Sequence, residues 1–418
     1  MIKMFRIFTI FSGLFFLLSA PIFPEPSSWS LSVCLSEAIA HHPDLLVERA
    51  ILDQARFQVK ISKAAYQPNV SLSGGLMDSF QGAGQSYDAG ISLSQRFLPN
   101  FFLRPEVQQA QLRLDAEMVT YQLLVSSVKY SVTQAYANLV YAQETLRLSD
   151  RIAKRRDANT RLVRARYDAG VEHKGAYLRA KAQSDQAKFE QSQAQRALSI
   201  ARLSLCQMMG VSLAEAKPVS PLLPTVAPLP TSPSFETWTE ESATVRREKL
   251  VYDAARLGLT ITESNYGLSL VGSLSLGGSG VVGSGGFSTS SSGRLGFSIP
   301  LYTGDQFSGD VGNVKASIEA QLRTLEKVQL QKRLVVEQSY SDALNAQEIV
   351  RVQDAFLLAA QTRSEIAQAQ YSSGLLSYDN WDLIENDLIN QQKAVISRWR
   401  DAVISVAAFE NTLEKGLE

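Results

Sequence analysis

QAYANLVYAQETLRL, residues 134–148, returns 204 residues later as QSYSDALNAQEIVRV, residues 338–352. Gln134-Ala135-Tyr136 answers to Gln338-Ser339-Tyr340 and Ala142-Gln143-Glu144 to Ala346-Gln347-Glu348. Further on, Tyr167-x-x-Gly170 answers to Tyr371-x-x-Gly374, still without a gap. Upstream, Ala55-Arg56 and Tyr66 match Ala255-Arg256 and Tyr266 at an offset of 200, so four residues lost near Val245 are restored in the loop after Leu276. The chain is two copies of one supersecondary assembly, each much longer than a solenoid repeat.

Around the quoted stretch, Val125, Val128, Val132, Ala135, Leu139, Ala142 and Leu146 follow alternating steps of three and four, as do Val336, Ser339, Ala343, Ala346 and Val350. That is a heptad stripe with small residues on it, suited to close helix packing. No proline interrupts 106–167 or 309–371, so each copy contains a helix on the order of 95 Å long. Gly170 and Gly374 end these helices, since glycine takes the left-handed conformation favoured just past a helix C-terminus. Return helices follow over about 175–210 and 378–416. A leading helix opens each copy, from Leu31 to Tyr66 behind Ser30 and from Phe235 behind Ser234, each serine serving as N-cap. Leading and return helices of roughly 50 Å each, stacked end to end, match one long helix. Each half is then a rod two helices wide.

Between the leading and long helices the apolar period changes from 3.6 to 2. Val70, Leu72 and Leu76, then Ile91, Leu93 and Phe97, alternate with small polar residues. Leu270, Leu274 and Leu276, then Leu295, Phe297, Ile299 and Leu301, repeat the pattern in the second half. Each half therefore holds one hairpin of strands about ten residues long, with Gly/Ser-rich tips at 82–84 and 277–293.

Residues 1–28 place Lys3 and Arg6 before an apolar run, Ile7 to Leu18, and have the layout of a secretory signal. The halves span 29–216 and 234–418, and Pro-rich residues 217–233 read as an extended link. With 41 basic and 41 acidic residues, the balance argues against a general nucleic-acid binder. His41, His42 and His173 are the only histidines. They form no metal-spaced cluster, and no nucleophile motif appears, so neither an enzyme nor a cofactor is expected. His41-His42-Pro43 reads as a surface kink. The two cysteines, Cys34 and Cys206, lie at helix ends expected to meet; they read either as two buried thiols or as one disulfide in an oxidising compartment.

After the leader no uncharged apolar run is long enough for a transmembrane helix, so membrane insertion would use strands. Four strands cannot close a barrel, and open edges are forbidden in lipid, so such a chain must oligomerise. A dimer supplies eight strands and a trimer twelve.

The duplicated hairpin-and-helix order, the Tyr-x-x-Gly turns and Ala135-Tyr136-x-x-Leu139 together resemble the outer-membrane efflux protein family, the TolC-like channels, over essentially the whole mature chain. The resemblance implies a mainly α fold with a small β part. Three copies would form a twelve-strand outer-membrane β-barrel on a periplasmic α-barrel. It implies an exit duct for efflux or type I secretion that works with a periplasmic adaptor and an inner-membrane transporter, in contact with outer-membrane lipid. Some members line the tip with aspartate rings. Here Asp379 and Asp382 follow Gly374 and are expected to face the pore, although the family's ring positions fall on Asn380 and Leu383, and Leu376 replaces a latching arginine.

The first tip is basic, with Arg151, Lys154, Arg155, Arg156, Arg161, Arg164 and Arg166, whereas the second carries Asp379, Asp382, Glu385 and Asp387. Neighbouring tips are therefore expected to attract and hold the end shut, or to offer a docking surface for the adaptor. On that expectation added salt raises conductance beyond the bulk effect. A trimeric coiled-coil adhesin or structural envelope protein is the rival reading, but it has no use for an apolar strand face repeated in both halves.

Overall fold

The computed structural model describes residues 29–79, 84–97, 101, 104–212, 227–283 and 285–414. The leader, part of the first hairpin tip, linker residues 217–226 and Gly416 lie outside the described residues. Elements run α1 (Leu31–His41), α2 (Pro43–Ala64), β1 (Asn69–Ser79), β2 (Gly84–Phe97), α3 (Pro105–Asp168) and α4 (Lys174–Met209). The second half gives α5 (Phe235–Glu240), α6 (Ala243–Asn265), β3 (Ser269–Val281), β4 (Phe287–Ser298), α7 (Gln306–Ser372) and α8 (Tyr378–Thr412). At 64 and 67 residues, α3 and α7 span about 95–100 Å.

Both leading segments are broken where one helix was expected. Pro43 biases His42 away from helical backbone; His42 is extended, and its ring accepts the Asp44 N–H at 3.2 Å to cap α2. His42 is also buried, not at the surface. In the second half Ser234 makes no side-chain cap bond. Ser242 caps instead, accepting the Val245 N–H at 3.3 Å. Ser30 caps α1 as expected, through the Val33 N–H.

The end-to-end stack rests on Gly210, the left-handed residue (φ 70°) that ends α4. A Cβ there would lie 2.4 Å from the His41 carbonyl oxygen, so α4 abuts α1 backbone to backbone. Both helices pack along α3, whose Val128, Val132, Ala135, Leu139 and Ala142 are buried with Leu45, Leu205 and Met209. From Ala227 the linker follows α7, where Tyr340 Oη donates to the Pro230 carbonyl (3.0 Å) and Gln347 Nε2 to the Ala227 carbonyl (2.7 Å).

The four strands form one antiparallel sheet in the order β1-β2-β3-β4, so the β2–β3 pairing joins the two halves. Its register locates the offset change. Val70 faces Leu93 and Leu270 faces Phe297, offsets of 200 for the first strand and 204 for the second. The four additional residues therefore lie at the tip of the β3–β4 hairpin. β1 and β4 are left as open edges.

Candidate functional site

Two regions are candidates for a functional site: the sheet and the far tip of the rods. Pairing places Leu72, Ile91 and Leu276 across from one another on one face, with Val70, Leu93 and Leu274 in the next row. The opposite face carries Ser71, Ser73, Ser92, Ser94, Ser273, Ser275 and Ser292. Ser71 and Ser92 share a hydrogen bond of 2.8 Å, and Ser275 and Ser292 one of 2.7 Å. Leu72, Leu274 and Leu276 remain exposed; nothing among the described residues covers them.

Aromatic rings bound the apolar face at both ends. Tyr87 stacks with Phe287 near the tips (6.2 Å), and Phe97, Phe101 and Tyr66 cluster at the helix end, with centroids 5.0 and 5.4 Å apart. The ten residue steps from Tyr87 to Phe97 cover about 34 Å of strand, or roughly 26 Å at a 40° tilt, against the ~25 Å apolar band of outer-membrane barrels.

At the tip, both Tyr-x-x-Gly turns close as expected from their glycines. Gly170 and Gly374 take φ of 74° and 84°. The Val171 N–H reaches the Arg166 carbonyl (2.9 Å) and the Gly170 N–H the Tyr167 carbonyl (2.9 Å); Leu375 and Gly374 repeat this on Gln370 and Tyr371. These are Schellman closures. Tyr167 stacks on Tyr177 at 6.0 Å, at the surface. Tyr371 is fully buried, stacked on Trp381 at 4.2 Å, with the Arg166 guanidinium 4.8 Å above its ring. Arg166 Nη1 also donates to the Tyr371 carbonyl at 3.0 Å. The first half thus caps the negative end of the second half's long helix. Tyr371 Oη donates to Glu172 at 3.2 Å, and burial, then the Glu172 charge, push its pKa up.

Deeper in, α3 and α8 are joined by two clusters. Glu385, 1 % exposed, receives Arg155 in a two-pronged contact of 2.6 and 2.6 Å, Ser364 at 2.5 Å and Asn159 at 3.5 Å. Asp382, 2 % exposed, receives Gln183 at 2.9 Å on each oxygen, Arg156 at 3.2 Å and Arg179 at 3.2 Å. Arg156 extends the network to Asn386 at 2.6 Å. Such planar guanidinium–carboxylate pairs are the strong kind of hydrogen bond.

The pore-facing expectation is corrected for Asp382, whose carboxylate is enclosed between the two rods. Asp379 stays exposed, 3.7 Å from Arg179, and the exposed face of α8 beside it carries Asn380 and Leu383. Of the basic residues singled out, Arg155 and Arg156 enter the clusters. Arg164 pairs along its own helix with Asp168 at 3.7 Å in solvent, and Arg151 is exposed. Sequence reading missed Gln183, Ser364 and Asn159 as partners; uncharged side chains give no signal until the rods are docked. Of the two readings of the cysteines, the structure holds the first: Cys34 and Cys206 are buried thiols of one core cluster. Burial pushes the Cys34 thiol up to about 12. Among the described residues no helix is long and apolar enough to cross a membrane and no group of side chains is arranged to hold a metal.

A sheet with two open edges, one lipid-suited face and one serine face, carried on rods near 100 Å, defines a subunit of a membrane channel with a long helical stalk. The chain belongs to the outer membrane efflux protein family, whose model matches it twice, over residues 34–211 and 238–413, once per half. It is an outer-membrane channel protein extending into the periplasm. Protein CyaE of Bordetella pertussis is 25 % identical over 347 residues, covering 76 % of this chain and 71 % of its own length. Outer membrane protein OprJ of Pseudomonas aeruginosa is 28 % identical over 161 residues, 36 % of this chain and 33 % of its own. The outer membrane protein VceC of Vibrio cholerae shares the fold with a TM-score of 0.78 at 19 % identity, covering 93 % of this chain and 97 % of its own. The CmeC outer membrane channel of Campylobacter jejuni does so with a TM-score of 0.80 at 16 % identity, covering 92 % and 86 %.

Proposed function

We propose that three copies close one twelve-strand barrel on a helical tube. In this reading the channel receives solutes from an inner-membrane transporter through a periplasmic adaptor, for efflux or type I secretion, and passes them out without chemical change. The observation that carries it is the four-stranded sheet with unpaired β1 and β4 edges and opposite apolar and serine faces. Edges cannot stay open in lipid, so β1 of one copy pairs with β4 of the next. Outer-membrane lipid covers the leucine face and water fills the serine face.

The tip is the gate in this proposal. Arg155–Glu385 and Arg156–Asp382 tie the rods of one chain together near the periplasmic end, and exposed Arg151, Arg164 and Asp379 remain for a neighbouring copy or the adaptor. The inner pairs are buried, so salt screens them weakly; ionic strength acts on the exposed charges alone. The test is the mass of the detergent-solubilised assembly together with single-channel recording. A trimer with stepwise conductance is expected, and a monomer that passes no current would end the proposal.

A further inference from the structure

The geometry points to a belt of positive charge inside the periplasmic mouth of the β-barrel, formed by Arg96 and Arg294, that favours anionic solutes; this rests on the trimeric channel proposed above. The register places both side chains on the serine face. Arg294 faces Ser273, which faces Ser94, which faces Asn69, the first residue of β1. Arg96 faces Val271, one same-face row closer to the helices. The two rows are about 7 Å apart along the strand, and β2 and β4 are separated by two strand spacings, roughly 10 Å. Three copies would set six guanidinium groups in one band around the lumen.

Nothing on that face neutralises them. Its one carboxylate, Asp88, lies eight residues up β2 from Arg96, about 27 Å toward the outside. Neither arginine makes an ion pair among the described residues, and both are exposed. The next copy contributes β1, whose serine face reads Asn69, Ser71, Ser73, Gly75 and Met77, so no register of that pairing supplies an acid. Below the strands, Glu106 and Asp310 each accept a hydrogen bond from a tyrosine, Tyr66 and Tyr266. At the tip the acids of α8 already lie against arginines, including Asp387 beside Arg363 at 3.8 Å. Asp382 and Glu385 are enclosed by arginines, and Asp379 lies beside Arg179.

Unlike most of the sheet, these arginines do not repeat. Position 90, the counterpart of Arg294, is glycine, and position 300, the counterpart of Arg96, is proline. The fold therefore does not require them. Fixed charges lining a low-dielectric pore concentrate counter-ions and exclude ions of the same sign, most strongly when the Debye length reaches across the pore, ~30 Å at 0.01 M salt.

The test uses the full-length protein in planar bilayers with a KCl gradient starting near 0.01 M on the dilute side. The reversal potential should show chloride preferred over potassium by about threefold or more. The Arg96→Gln/Arg294→Gln double variant should lose most of that preference, whereas the Arg96→Lys/Arg294→Lys variant should keep it. Inositol hexakisphosphate added from the outer side should block current through the unmodified protein and spare the glutamine variant. Equal reversal potentials and equal block in all three proteins would overturn the belt while leaving the channel standing. An unmodified protein that passes no current would remove both.

Discussion

At Gly210 one methyl group decides whether α4 can end against α1. Alanine there would hold a positive φ, at ~1–2 kcal/mol, and press a carbon onto the His41 carbonyl. Gly210→Ala is therefore expected to destabilise the upper rod by more than the φ cost alone, read as a lower urea midpoint. Glu385 and Asp382 carry a second residue-scale expectation. Removing one partner of an enclosed ion pair costs about 3 kcal/mol, so Asp382→Asn, which strands the buried Arg156, should loosen the tip. Glu385→Gln should do less, because Arg155 retains partial access to water. Amide exchange in residues 366–380 and single-channel conductance should both rise, Asp382→Asn above Glu385→Gln. Unchanged exchange would deny these pairs a holding role. Gly170 and Gly374 were legible in the sequence because a left-handed helix end demands glycine. Asp382 was misread because i, i+3 spacing fixes its angle to Asp379 but not which side of α8 the other rod covers.

Among elements, the strand faces were legible because period-2 alternation assigns them without knowledge of the register, but the second tip was not: residues expected in the loop 277–293 continue β3 to Val281 and open β4 at Phe287, and Ile299 and Leu301 lie beyond its end at Ser298. An arginine at Leu274, near the middle of the apolar face, should cost about 2–4 kcal/mol and lower the amount of assembled protein in the outer membrane. Ser275→Arg, one residue away on the serine face and flanked there by Ser92 and Ser292, should assemble normally. Equal assembly of the two would contradict the lipid-facing assignment.

The helix break at Pro43 announces itself through proline, whereas the break before Ser242 carries no such mark and emerged only in the structure. On α8, Tyr378 is pushed up to about 12, by burial first and then by Asp382. A tyrosine whose folded pKa exceeds the ordinary value of about 10 contributes stability that is complete below pH ~10 and lost as pH rises toward 12. The thermal midpoint should fall over that window, and Tyr378→Phe should flatten part of the fall. Identical profiles for the two proteins would assign the alkaline loss to other groups.

For the molecule as a whole, duplication was visible in the sequence but the docking of the halves was not. α3 is enclosed by α4, α6 and α8, while α7 leaves Leu330, Leu334, Val352, Phe356 and Ile366 exposed. In the proposed trimer, open sheet edges and bare α7 leucines would make the fold of one copy dependent on its neighbours. The unfolding temperature in detergent should therefore rise with protein concentration; independence from concentration would indicate a self-sufficient monomer.

A ring of six identical single-repeat chains would have six identical joints, and any change at one would occur at all. In the proposed trimer, fusing two repeats leaves three joints inside chains, fastened here by Arg155, Arg156 and Arg166, and three between chains that can change separately. Stiffness can therefore be tuned at every second joint around the circumference, and the tube can yield along three lines while the other three stay fixed.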